Sequence, residues 1–436
     1  MYYFIGIKGS GMAALAIMLH DLGKEVIGSD LDRYFFTEDE LIKRGIKILP
    51  FDPANIKSGY TVIIGNAFLE DFPEVIAARS NENCTCYRYH EYVGKLMEDY
   101  TSISIAGSHG KTTTTAMCAQ MMSKFKETGY LIGDGEGHLR QDSEYLCVES
   151  DEFRRHFLAY HPNYAIINNI EIDHTDYFKD EEDYFAAYQD FVDNVKDAVF
   201  YYGDDKECQR LDIKVSSFSY GFSEANDFVA TDIIESSEGT NFSLFFKDNF
   251  IYNFNLPFVG RHLLIDALGV IALGIVLCFD PAHIENALRY YESPKRRFKV
   301  DSIDDITIID DYAHHPTEVK VTLEAAKKRF DDKRLVAIFK PHRASRVLYF
   351  ADDFAKALKV ADDIYLLEFN SIDDKQDGTD IDISYLKDRI EGSVILSEDA
   401  LGAKVLAQYH DAVLCFMSSK DIYDLEDLVR KELKKR

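Results

Sequence analysis

Short apolar runs alternate with longer amphipathic stretches along most of the chain. Strands are expected at residues 2–7, 24–28, 46–49 and 61–64, with a helix over about 12–22, the alternation of a parallel α/β unit. A second unit opens with a strand at 102–106, a Gly/Ser/Thr turn and a helix reaching about residue 125. Further strands are expected at 145–148, 164–168 and 198–202. From 228 to 258 the pattern becomes hairpin-like, with turns expected at Glu238-Gly239 and Asp248-Asn249. The apolar stretch 263–279 predicts a helix. Its core, 267–279, is shorter than the roughly 18 residues a membrane span needs, so it reads as a buried helix. Residues 292–297 read as a linker. Beyond it, strands at 307–309, 334–339, 363–367, 393–396 and 412–416 alternate with helices, giving a third α/β unit.

The length agrees with that count: 436 residues at about 150 per domain make three domains. Hydrophobic residues at 46% and charged residues at 29% belong to folded proteins and exclude a low-complexity chain. Lys+Arg 49 against Asp+Glu 76 gives a net charge of −27. That argues against a nucleic-acid partner, whose footprint is basic, but leaves room for small anions held by backbone amides and a few cations. The seven cysteines are scattered, with Cys84 and Cys86 the one close pair and no C-x-x-C. Such thiols read as reduced, and the start of the chain lacks signal-peptide features, so a cytoplasmic protein without membrane insertion is expected. The acidic runs 180–183 and 373–380 read as solvated loops or helix faces.

Gly9-Ser10-Gly11-Met12-Ala13-Ala14 fits G-x-G-x-x-A between a strand and a helix, with Asp30 near the end of the next strand. Glycines there let the backbone approach a diphosphate at the helix N-terminus, and the acid can accept from a ribose hydroxyl. A dinucleotide and another nucleoside diphosphate fit equally well, and a purely structural tight turn is the bland alternative. Gly107-Ser108-His109-Gly110-Lys111-Thr112-Thr113 speaks more specifically. Amides of such a loop cradle phosphate oxygens, Lys111 reaches the β/γ bridge and Thr112 offers a hydroxyl to Mg²⁺, an ATP or GTP site. Its first glycine lies closer to Gly110 than in G-x-x-x-x-G-K-[ST].

Three acidic clusters follow predicted strands: Glu149-Ser-Asp151-Glu152, Asp173-His174, and Asp310-Asp311-Tyr312-Ala-His314-His315-Pro316. Strand ends are where open α/β sheets bind ligands, and carboxylates with one His suit Mg²⁺ between phosphate oxygens. Each cluster alone is equally a solvated strand end. Lys340-Pro-His-Arg343-Ala-Ser-Arg346 also follows a strand, and two fixed guanidiniums there suit a carboxylate or phosphate.

In this order the motifs resemble those of the Mur ligases, ATP-dependent amide-forming enzymes of peptidoglycan precursor synthesis. The runs are 6–12, 106–114, 149–152, 169–174, 310–318 and 340–343, so the resemblance spans nearly the whole chain. The Asp-Asp-Tyr-Ala-His-His-Pro run resembles that of the alanine-adding branch. The resemblance implies an α/β fold of three domains. These are an N-terminal Rossmann-like UDP-sugar domain (1–98), a central P-loop ATPase-like domain with added β-hairpins (99–294), and a C-terminal Rossmann-like domain (295–436). It implies UDP-N-acetylmuramate, L-alanine and ATP as substrates, with Mg²⁺ or Mn²⁺ as cofactor, in a monomer or weak homodimer. It implies that ATP phosphorylates the lactyl carboxylate and that the amine of alanine attacks the resulting acyl phosphate.

By the same resemblance Lys111 stabilises the transferring phosphoryl group, and Thr112, Glu149 and His174 hold metal. Arg297 and Asp311 bracket the nucleotide, which rests on 107–113. Tyr312, His314, Arg343 and Arg346 line the alanine pocket, and Gly9 to Met12, Asp30, Asn66 and Ala67 hold the UDP-sugar. The sequence departs from the family where Leu263 and Asp266 replace the two asparagines of Asn-x-x-Asn, positions that bear on adenine contact. It departs again where Met417-Ser-Ser-Lys-Asp421 replaces a Gly-Ala-Gly-Asp loop. Competing readings are a peptide-recycling Mur-type ligase, a catalytically impaired UDP-sugar-binding paralogue, and an oxidoreductase resting on the first Gly-rich turn alone.

Overall fold

The apolar runs pair into three separate sheets in the computed structural model, which describes residues 1–291, 296–369, 379, 381–419 and 422–436. The first sheet comprises β1 (Tyr2–Ile5), β2 (Val26–Ser29), β3 (Lys47–Leu49), β4 (Thr61–Ile64) and β5 (Thr85–Arg88). All are parallel, in the order β3-β2-β1-β4-β5. The chain leaves β1 toward one edge and returns at β4 toward the other. Its topological switch therefore lies between the carboxyl ends of β1 and β4, where α/β sheets bind ligands. Strand β1 stops at Ile5, two residues before the expected end, because Gly6 turns the chain at φ 83°. Helix Ser10–Asp21 starts there instead of at residue 12, and its apolar residues are buried from Met12 to Leu19.

The second sheet holds β6 (Thr101–Ala106), β7 (Thr128–Leu131), β8 (Gly137–His138), β9 (Tyr145–Glu149), β10 (Tyr164–Ile167), β11 (Ala198–Tyr202), β12 (Ser216–Gly221), β13 (Phe228–Glu235), β14 (Thr240–Phe246) and β15 (Asn249–Leu256). Its order is β15-β14-β13-β12-β11-β10-β6-β9-β7-β8. The hairpin region 228–258 is there as antiparallel β13–β14–β15. The tight turn is Lys247-Asp248 and not Asp248-Asn249, since both residues take left-handed φ (46° and 64°), as two-residue hairpin loops favour. The switch falls between β6 and β10, placing residues 107–110 and Asn168 side by side.

Helix Arg261–Val276 is the apolar segment expected at 263–279; it is buried from Ala267 to Gly274. It ends early because the chain reverses at Cys278 (φ 62°) and Asp280 caps the next helix, Pro281–Arg289. Burying Leu268, Ile271 or Leu273 contributes about 1.5–3 kcal/mol each as an upper bound. Among the described residues no helix is long and apolar enough to cross a membrane.

The third sheet has β16 (Lys299–Ile303), β17 (Ile306–Asp311), β18 (Arg334–Phe339), β19 (Asp363–Leu366), β20 (Val394–Ile395) and β21 (Ala412–Met417), in the order β16-β17-β21-β18-β19-β20. Only β16 runs antiparallel to its neighbour. The run 180–183 opens helix Glu181–Val192, which Asp180 caps by accepting from the Asp183 amide at 2.9 Å. Residues 373–378 and 380 of the second acidic run lie outside the described residues, as do 292–295 of the linker and Lys420 and Asp421 of the late loop.

Candidate active site

Strand β6 delivers the loop 107–110 to the N-terminus of helix Lys111–Ser123. Glycine is required at two points. Gly110 takes φ 80°, and a Cβ on Gly107 would stand 3.0 Å from Asn168. The loop is braced from β10, because Asn169 Oδ1 accepts from the His109 amide at 2.9 Å. Lys111 Nζ donates to the carbonyls of Gly107 (2.7 Å) and Ser108 (3.2 Å) and to Glu152 Oε2 (2.8 Å). Burial opposes the lysine's charge, but the nearby carboxylates of Glu152, Asp151 and Glu149 outweigh it and hold the ammonium protonated. Glu152 is itself 1% exposed and also accepts from Tyr184 at 3.1 Å.

Thr112 Oγ1 donates to Glu149 Oε1 at 2.9 Å, while Glu149 Oε2 accepts from the Gly133 amide at 2.6 Å. Burial raises the Glu149 carboxyl, and Arg297, the Gly133 amide and Lys111 pull it back. His174 does not join Glu149 directly. It groups with Asp151 and Glu152, ligand atoms within 4.8 Å of one another, and its Nδ1 is buried without a hydrogen-bond partner. Thr112, Glu149, Asp151 and His174 nonetheless line one cavity of about 310 Å³. Oxygen donors with one imidazole fit a hard divalent cation.

The same cavity is lined by Gly11, Asn66 and Tyr89 from the first domain and by Arg297, Tyr312 and His314 from the third. Gly11 is there because a Cβ would meet the Tyr89 hydroxyl at 2.5 Å. Asn66 spans two stacked imidazoles: its Oδ1 pairs with His90 Nδ1 and its Nδ2 with His156 Nδ1, both at 3.1 Å. Burial lowers both histidines, His156 to about 4, so the pair is uncharged at neutral pH. Other first-domain candidates sit apart. Ala67 and Gly9 are exposed and Ser10 half-buried, Met12 is buried under the turn, and the Asp30 carboxylate already accepts from the amides of Lys8 (2.7 Å) and Leu31 (2.8 Å).

From the third domain, Arg297 Nη2 donates to Thr112 Oγ1 at 3.0 Å, and its guanidinium lies 4.9 Å from the Tyr312 ring. Asp311 accepts from the amides of Phe298 (2.7 Å) and Ala313 (2.8 Å), so it fixes the backbone on which Arg297 and Tyr312 stand. The two arginines expected around alanine do not line this cavity themselves and are paired with acids, one of which, Asp173, does line it. Arg346, 4% exposed, grips Asp173 Oδ1 at 2.7 and 3.0 Å, and Arg343 pairs with Asp176 and covers the Phe153 ring.

Several residues escaped the sequence reading. Glu152 and Asp173 stood in quoted clusters without a role, and their signal was there: carboxylates immediately after apolar strands. Nothing in the sequence announced Tyr89 or Asn168, and Glu171 stands inside the run 169–174 without a role assigned to it. Glu171 accepts from His109 Nε2 at 3.0 Å and from Thr317 at 2.9 Å, with Glu318 on the other side of His109 at 3.4 Å. Burial alone would deprotonate His109, but hydrogen bonds to Glu171 and Glu318 prevail and push it up to about 10. A second cavity of about 440 Å³ runs from His109 and Thr113 past Asn168 to His262, Leu263, Asp266 and Asp311.

Three family models match the chain: the Mur ligase family catalytic domain over 1–101, the Mur ligase middle domain over 105–274 and the Mur ligase glutamate ligase domain over 296–419. The sequence is 44% identical over 425 residues to a UDP-N-acetylmuramate–L-alanine ligase of Lacticaseibacillus casei, covering 98% of this chain and 97% of that protein. It is 43% identical over 428 residues to one of Pediococcus pentosaceus, with the same coverage. Among solved structures, UDP-N-acetylmuramate–alanine ligase of Thermotoga maritima superposes with a TM-score of 0.83 at 26% identity, covering 100% of this chain and 99% of that one. A murein peptide ligase of Psychrobacter arcticus shares the fold at a TM-score of 0.75 and 22% identity, with the same coverage.

Proposed function

The chain belongs to the Mur ligase family, and on that premise we propose that it joins L-alanine to the lactyl carboxylate of UDP-N-acetylmuramate at the expense of ATP. The observation that carries this reading is the convergence of three domains on the 310 Å³ cavity, which Lys111, Thr112 and Glu149 line together with Asn66 from the first domain and Tyr312 and His314 from the third. Residues 1–98 hold the UDP-sugar, 99–294 the ATP and 295–436 the amino acid; the boundary at 294–295 falls outside the described residues.

A lactyl carboxylate oxygen forms a bond to the γ-phosphorus as the bond to the β–γ bridging oxygen breaks, releasing ADP and leaving an acyl phosphate. The amine of alanine then adds to the acyl carbon, loses a proton, and phosphate departs. Both steps move negative charge, so positioning and fixed cations supply most of the catalysis. Lys111 and the amides at the start of its helix offset charge on the phosphates, and Arg297 adds a guanidinium next to Thr112. Thr112, Glu149 and His174 are the residues that would hold Mg²⁺, which supplies charge neutralisation at phosphate oxygens when bound. Tyr312 and His314 bound the side where the amino acid enters; Arg343 and Arg346 act by tying the third domain to Asp176 and Asp173. A protein doing this work is expected in the cytoplasm.

The test is phosphate release with UDP-N-acetylmuramate, ATP and Mg²⁺, comparing L-alanine, glycine, L-serine, a tripeptide and no acceptor. Release that requires both the sugar nucleotide and L-alanine is expected. Release with the tripeptide and not with L-alanine would assign the recycling reaction instead.

A further inference from the structure

Helix Arg261–Val276 carries one carboxyl group into the 440 Å³ cavity. Asp266 is 6% exposed and forms no ion pair among the described residues. Asn168 Nδ2 donates to its Oδ1 at 3.3 Å and to Thr114 Oγ1 at 2.8 Å. On its other side lies the phosphate loop, where a Cβ on Gly110 would collide with Asp266 Oδ1. The carboxyl thus touches both the loop and Asn168, whose amide also donates to the His109 carbonyl of the loop at 3.3 Å.

A charged carboxylate in this place is poorly compensated. The cations facing it are Arg297 from the linker and His109 from the loop; Arg297 is directed to Thr112, and His109 is held between Glu171 and Glu318. Asp205 and Asp311 line the same cavity with those two glutamates, adding further negative charge. His262, on the same helix, is lowered to about 4 by burial and offers no charge. Burial pushes the Asp266 carboxyl up to about 8, against smaller opposing effects of the Thr114 hydroxyl, Arg297 and His109. A protonated carboxyl presents one O–H donor and one C=O acceptor, the same pair of functions as a side-chain amide.

We propose that Asp266 works as a neutral, hydrogen-bonding carboxylic acid beneath the phosphate loop and that nucleotide binds to the enzyme in this protonated form. The inference rests on the reading of this cavity as the ATP site. Ionising Asp266 places a negative charge against the loop that must receive a polyanion, so binding at alkaline pH draws a proton from solvent.

The experiment is calorimetric titration of the full-length protein with Mg·ADP from pH 6.5 to 9.5, in buffers of differing ionisation enthalpy. Wild-type affinity is expected to be flat below about pH 7.5 and to fall toward tenfold per pH unit above about 8.5, the limit for one linked proton. Asp266→Asn is expected to show no such fall, while UDP-N-acetylmuramate affinity shows none in either protein. Parallel pH profiles in the two proteins overturn the proposal. Proton uptake by the wild type near pH 9 is an independent reading that needs no variant: close to one proton per ADP is expected, and none overturns it. Failure of the wild type to bind Mg·ADP even at pH 6.5 would instead remove the nucleotide-site reading.

Discussion

Arg297 Nη2 donates to the Thr112 hydroxyl at 3.0 Å, and that hydroxyl donates onward to Glu149 at 2.9 Å. A residue at the entry to the third domain thereby reaches the first turn of the phosphate-loop helix. The contact requires the third domain to be docked, so it couples domain closure to the geometry of the phosphate site. Arg297→Lys keeps the charge but loses the planar fork. Steady-state kinetics should show kcat lowered at least about tenfold, roughly the 1.4 kcal/mol of one charge-assisted hydrogen bond. Calorimetry should show UDP-N-acetylmuramate binding little changed.

Lys111 bridges two loop carbonyls and Glu152. Lys111→Ala removes the cation proposed to stabilise the transferring phosphoryl group and should lower kcat by about 10³-fold or more. The first domain is untouched, so UDP-sugar binding should persist. A folded variant that has lost both functions would contradict the assignment of the two sites to different domains.

Asp173 and Arg346 form a buried pair between the second and third domains, 6% and 4% exposed. Asp173→Asn strands the guanidinium at a cost of about 3–5 kcal/mol, while replacing both with apolar residues costs much less. Thermal denaturation should show a large fall in Tm for the single variant and partial recovery in the double one.

His109 carries a pKa raised to about 10 by Glu171 and Glu318, despite burial that works the other way. A raised folded-state pKa gives stability that is complete below the unfolded value of about 6.5 and disappears as pH climbs through 10. The Tm difference between wild type and His109→Asn should therefore be greatest near pH 6 and shrink toward zero above pH 10. A difference independent of pH would mean that packing, not charge, explains the contact.

Thr112, Glu149 and His174 form an oxygen-rich donor set with one imidazole. Exhaustive chelation should abolish phosphate release, and Mg²⁺ or Mn²⁺ should restore it. Glu149→Gln should raise the metal concentration needed for half-maximal activity by at least about tenfold, since outer-sphere changes alone cost 10–100-fold in metal sites.

Much of the fold was legible because parallel strands buried on both faces read as apolar runs. Residues 61–64, 198–202 and 334–339 are strands with the expected bounds. Three of the strands that escaped, Thr85–Arg88, Ser216–Gly221 and Lys299–Ile303, are polar or half-exposed and carry too little hydrophobic contrast to stand out, while Thr128–Leu131 and Gly137–His138 are too short to do so. Strand β1 was read two residues too long, since Ile7 is apolar and only the left-handed Gly6 shows where pairing ends.

The sequence by itself determined the three α/β units, the phosphate loop and the acidic clusters at strand ends, because these follow from local periodicity and from glycines no other residue replaces. Only the tertiary structure decided the partners. Lys111 meets Glu152 across 41 positions, Arg297 meets Thr112 across 185, and Arg346 meets Asp173 across 173. Such pairings depend on how sheets and domains pack, and no local pattern encodes them. Asp266 shows the same division: the sequence gives an acid in an apolar helix, and the fold buries it against Asn168 and Gly110, which raises its carboxyl.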